Sequence, residues 1–177
     1  MRKLFTPLSF IALLLLLVSG NCKKEKQPEP DNPYGLPNAT QTGENIFACR
    51  VNGQKWISDK GVFHNRGGVT NDTLATSADR NENGFELIVL IVKGNAAQGA
   101  SYGFSDTTKA LAEFRTNNLC GIQTGSVYRY YSLTGSINIA KLDLPNKIIS
   151  GTFNFNAARI DCNDTLKITD GRFDMRY

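Results

Sequence analysis

From Phe47 onward the chain repeats with the period of a strand. Phe47, Cys49 and Val51 fall on alternate positions, so they share one face, while Arg50 points to the other. The Asn52-Gly53 pair that follows predicts a two-residue hairpin turn, which sets Val51 opposite Gln54 and Cys49 opposite Trp56. The register makes Cys49 a buried thiol beside the single tryptophan. A reactive cysteine wants an electropositive, partly exposed setting, and this is neither.

A second hairpin is predicted from Thr73–Ala78, through Asp79-Arg80-Asn81-Glu82-Asn83-Gly84, into Phe85–Lys93. Leu87–Val92 is apolar without a break, which reads as a central strand buried on both faces. Further strands are expected at Tyr102–Phe104, Val127–Tyr131, Gly135–Leu142 and Lys147–Ala157, with Phe153 and Phe155 inward and Thr152, Asn154 and Asn156 outward. Lys109–Arg115 reads as either a strand or a short helix. In the last strand Leu166 and Ile168 are apolar at even positions, but Phe173, Met175 and Tyr177 at odd ones. One residue must therefore be absorbed, and Gly171 is the expected β-bulge. Short strands with turn residues between them predict an all-β fold, a single antiparallel β-sandwich or flattened barrel over residues 45–177.

The start of the chain has a different pattern. Arg2 and Lys3 precede an apolar run from Leu4 to Val18, too short to span a bilayer comfortably, and Ser19 and Gly20 lead to Cys22. This segment resembles a bacterial lipoprotein signal, with Ser19 and Asn21 departing from its usual box. The resemblance implies cleavage after residue 21, lipidation of Cys22, attachment to a membrane by lipid, and a place in the bacterial cell envelope. The outer membrane is expected, on its periplasmic face or at the cell surface. Residues 22–44 carry Pro28, Pro30, Pro33 and Pro37 among polar residues and read as a tether.

Composition narrows the partners. The formal charge of +4 falls to +2 once Arg2 and Lys3 leave with the signal, a balance that gives no reason to expect nucleic acid. Export implies an oxidising compartment. With Cys22 assigned to lipid and Cys49 turned inward, Cys120 and Cys162, both in loop-like stretches, are the expected disulfide.

Two ends of the domain resemble a family. Leu36-Pro37-Asn38-Ala39-Thr40-Gln41-Thr42-Gly43 with Phe47-Ala48-Cys49-Arg50-Val51-Asn52-Gly53-Gln54-Lys55-Trp56, and then Ser150-Gly151-Thr152-Phe153 with Thr169-Asp170-Gly171-Arg172-Phe173-Asp174, look like the opening and close of an uncharacterised lipoprotein family of Bacteroidota. The resemblance implies an exported all-β domain with no established activity, and it carries no catalytic residues.

Candidate chemistry is sparse. His64 is the only histidine and stands without a nucleophile elbow, so it reads as a surface imidazole. Asp79, Asn81 and Asn83 imitate the first half of a calcium loop, with Glu82 or Glu86 as an extra carboxylate. The bidentate glutamate such a loop needs is replaced by Leu90, so a polar hairpin tip is expected instead. Tyr128, Tyr130 and Tyr131 offer either a sugar-stacking platform or a strand with one tyrosine face in the core. Thr73, Thr107 and Thr165 each follow an aspartate in a pattern resembling O-glycosylation acceptors of exported Bacteroidota proteins. No cofactor is implied. The reading is a lipid-anchored envelope module that binds or scaffolds, with a glycan or an envelope protein as partner, and does not catalyse. Its rivals are a carrier with an interior cavity and a carboxylate-based glycan hydrolase.

Overall fold

The structure, a computed structural model, describes residues 35–177 apart from Lys60, Val62, Phe63, Gly121, Ile160, Asp161 and Cys162. The described chain forms ten strands and no helix: β1 (Ile46–Val51), β2 (Gln54–Ile57), β3 (Asn65–Thr70), β4 (Thr73–Arg80), β5 (Glu86–Val92), β6 (Ser101–Gly103), β7 (Ala110–Leu119), β8 (Ile122–Asp143), β9 (Ile148–Arg159) and β10 (Asp164–Arg176). They make one antiparallel sheet in the order β2-β1-β10-β9-β8-β7-β5-β4-β3, with β6 paired to β8 off this path. The two segments expected at Val127–Tyr131 and Gly135–Leu142 are one 22-residue strand. Its first half pairs with β7 and its second half with β9 and β6. Gly135 sits at the bend with φ 118°, and a Cβ there would meet the Asn154 carbonyl and the Phe155 backbone.

The sheet curls into a half-barrel. The Asn65 amide of β3 donates to the Asn45 carbonyl at 2.7 Å, and the Thr76 hydroxyl of β4 contacts the Met175 sulfur of β10 at 2.9 Å. Inside, one face of each strand supplies the core. Phe47, Trp56, Phe104, Phe153, Phe155 and Phe173 are buried together. Phe153 lies 5.0 Å from Phe47 and 6.3 Å from Phe155 between ring centres, and Phe104 meets Phe155 edge-on at 5.9 Å. These separations are those of contacting aromatic pairs, so the interior between these strands is filled by rings.

The first hairpin takes the expected register, with Cys49 opposite Trp56 and Val51 opposite Gln54. Asn52 and Gly53 hold φ of 49° and 82°, the paired positive angles of a type I′ turn. Lys109–Arg115 resolves to strand, as part of β7. β5 is central, between β4 and β7; Ile88, Leu90 and Val92 are fully buried and Leu87 nearly so, but Val89 and Ile91 are only half-buried on the outer face. Among the described residues no second layer covers that face.

The parity change in β10 is present as a register shift between Ile168 and Gly171, after which Phe173 and Met175 face the core like Ile168 before it. The residue in the left-handed region is Asp170, at φ 55°. Gly171 serves the bulge differently: a Cβ on it would lie 2.5 Å from the Phe153 carbonyl oxygen and 2.6 Å from the Phe153 ring.

Candidate functional site

The strongest convergence of chemistry-bearing side chains lies where the loop after β2 meets the ends of β3 and β4. Asp79, at the far end of β4, has its backbone bracketed by that loop. Its carbonyl accepts from the Asp59 N–H at 3.0 Å, and its N–H donates to the His64 carbonyl at 3.1 Å. The loop itself is tied by the His64 and Asn65 N–H groups, which both donate to the Gly61 carbonyl. Asp79 is nearly buried, and its carboxylate meets His64 Nδ1 at 2.8 Å and the Arg66 guanidinium at 3.1 Å. Asp59 Oδ2 accepts from the Asn81 N–H at 3.1 Å. His64, expected as a surface imidazole, keeps its side chain 35 % exposed and pairs with Asp79, which the sequence could not show to return within reach.

The calcium-like residues of the hairpin tip turn to different partners. Asp79 belongs to the strand and turns toward His64, Asn81 reaches Asp59, and Asn83 is exposed at the tip. Glu82 and Glu86 bind the Arg80 guanidinium, at 3.4 and 2.6 Å, and Glu86 also accepts from the Trp56 indole at 2.7 Å. Trp56 therefore closes the core with its ring and satisfies its N–H at the rim.

Beside this cluster an open groove of about 460 Å³ runs between Pro37, Ile46, Ile57 and Asn65. Asn65 Oδ1 is buried there without a hydrogen-bond partner. A second open groove, of about 350 Å³, crosses β3 and β4 past Arg66, Ala75 and Val89.

The tyrosines divide by face. Tyr130 is buried against Phe114, and its hydroxyl donates to Asp164 at 2.8 Å; burial first, and then that carboxylate, pushes its pKa up to about 12. Tyr128 is covered by the Arg159 guanidinium, 4.6 Å from its ring centre. Tyr131 is 53 % exposed, and Val127 and Leu133 on the same strand are exposed as well. Of the three rings Tyr130 is thus core, Tyr128 is half-buried and Tyr131 is exposed.

Cys49 is the free cysteine among the described residues, and burial pushes its thiol far above the ordinary range. That leaves it unsuited to nucleophilic work. Cys120 is exposed at φ 50° and is not a free thiol, whereas its expected partner Cys162 lies outside the described residues, as does Cys22. Of the glycosylation candidates, Thr107 and Thr165 are exposed and Thr73 is half-buried. The Asp106 carboxylate accepts from the Thr108 N–H and hydroxyl, which is turn chemistry.

One arrangement was not foreseen. The segment from Leu36 to Glu44, placed in the tether by its prolines, lies along β10. Leu36 is buried, and the almost fully buried Asp174 carboxylate accepts from the Thr40 hydroxyl at 2.6 Å and from the N–H groups of Thr42, Gly43 and Glu44 at 2.9 to 3.1 Å. Arg172 and Arg176 donate to the Pro37 and Thr42 carbonyls. The opening and closing motifs of the sequence meet here as one clamp.

Residues 44–175 match a family described as "Domain of unknown function (DUF6252)", and the chain belongs to it. No curated protein and no solved structure matches the chain.

Proposed function

We propose that this DUF6252 member is a lipid-anchored envelope module that binds or scaffolds through its outer surface. The observation that supports the reading is the aromatic core: Phe47, Phe153, Phe155 and Phe104 pack ring against ring between the strands, where a carrier would hold its ligand. The buried carboxylates also support it. Asp174 is committed to the clamp, Glu113 to Arg115 at 2.6 Å, and Asp79 to His64 and Arg66. A glycan hydrolase needs two carboxylates facing a substrate across an open cleft.

The anchor rests on the Arg2-Lys3 start, the apolar run and Cys22. The clamp gives such an anchor a mechanical meaning, because a tether ending at Leu36 would hand its load to β10 through Asp174 and Arg172. Growth with a clickable fatty-acid analogue is expected to label the wild type and to leave Cys22→Ser unlabelled and released from the membrane fraction. Equal labelling of the two, or a mature N-terminus upstream of residue 22, would refute the anchor.

A further inference from the structure

We propose that Asp59, His64 and Asp79 bind a first-row divalent transition ion, with Zn²⁺ as its probe. His64 Nδ1 and one oxygen from each carboxylate lie within 4.8 Å of one another. Ligands of one such ion stand about 2.0–2.2 Å from the metal, hence roughly 3–3.5 Å apart. His64 Nδ1 and Asp79 Oδ2, at 2.8 Å, already approach that separation, and the proton between them is the one an ion would replace. Asp59, whose Oδ2 accepts from Asn81, must close the remaining distance within the 4.8 Å that bounds the three ligand atoms.

The backbone does the positioning. Asp79 is fixed within β4, and the main-chain bonds from Asp59 and to His64 hold the other two residues against it. The second Asp79 oxygen holds Arg66, whose guanidinium competes with a cation for that carboxylate. With that side chain 58 % exposed, it yields easily.

The donor set selects the ion. One imidazole and two carboxylates suit zinc, nickel or copper, whereas calcium seeks six to eight oxygens. Three protein ligands would leave at least one position open to water or to a group from a partner. The site is independent of the lipid anchor and of the filled core.

Calorimetric titration of untagged mature protein with ZnCl₂ tests it, with melting temperature as a second readout. The expected result is one-to-one binding that survives excess Ca²⁺ and Mg²⁺ and raises the melting temperature. His64→Ala and Asp59→Asn should each weaken it at least tenfold, and Arg66→Ala should leave it equal or tighter. Asp59→Asn retains an oxygen to accept from Asn81, so it separates a lost ligand from a lost fold. Absence of stoichiometric binding by the wild type, an Asp59→Asn affinity equal to the wild type's, or displacement of Zn²⁺ by equimolar Ca²⁺ would overturn the proposal.

Discussion

Replacing Asp174 with alanine should destabilise the domain by about 4 kcal/mol, since hydrogen bonds to a charged group are each worth ~1.5–3 kcal/mol and their sum is not additive. The carboxylate satisfies one hydroxyl and three backbone N–H groups of the segment before β1. Without it those donors lose their acceptor. Urea denaturation at neutral pH should show the loss as a lower midpoint; a change below about 1 kcal/mol would mean that the segment is held by packing alone.

Asp174 also carries a pH signature. Burial by itself would raise its pKa, but the bonds from Thr40, Glu44, Gly43 and Thr42 outweigh burial and hold it below the ordinary carboxylate value. A carboxyl lowered by folding contributes stability above its unfolded value, about pH 4, and loses that contribution as pH falls through the folded one. Stability should therefore drop on acidification below about pH 4, and Asp174→Asn should remove part of that slope.

The second large effect concerns Cys120 and Cys162. Tyr130 links Cys120 to the start of β10: its hydroxyl bonds Asp164, and the backbone of Cys120 contacts the same hydroxyl. A bridge here would close a loop of about 43 residues, for which chain entropy gives roughly 4 kcal/mol before strain is subtracted. Reduction, or Cys120→Ser with Cys162→Ser, should cost about 3 kcal/mol, and non-reducing peptide mapping should recover the linked pair. Cys49 should react with a thiol reagent only after unfolding, given its complete burial. Cys49 in a bridge, or Cys120 and Cys162 free in exported protein, would contradict this.

Much of the fold was legible because short-range rules dominate a sheet. Asn52-Gly53 fixed one register, and the alternation through Phe153 and Phe155 identified a core face. The parity change announced the bulge, though the left-handed residue proved to be Asp170 and not the glycine. What was not legible depends on residues far apart in the chain. Leu87–Val92 reads the same whether or not a second layer covers it, and only the curl of the sheet decides. His64 looked isolated because Asp79 lies fifteen positions away and is brought back by the pairing of β3 with β4. Asp174 and Thr40 are separated by 134 positions, so the clamp could be noticed only as two motifs with no stated reason to occur together.

A filled interior is what separates an outer-surface module from a carrier, and titration of the mature protein with an apolar, environment-sensitive fluorophore tests it most directly. The expected result is no saturable binding to the folded protein, with emission rising only as the domain unfolds. Saturable one-to-one binding to the folded protein, displaced by a fatty acid, would contradict it and make the domain a carrier.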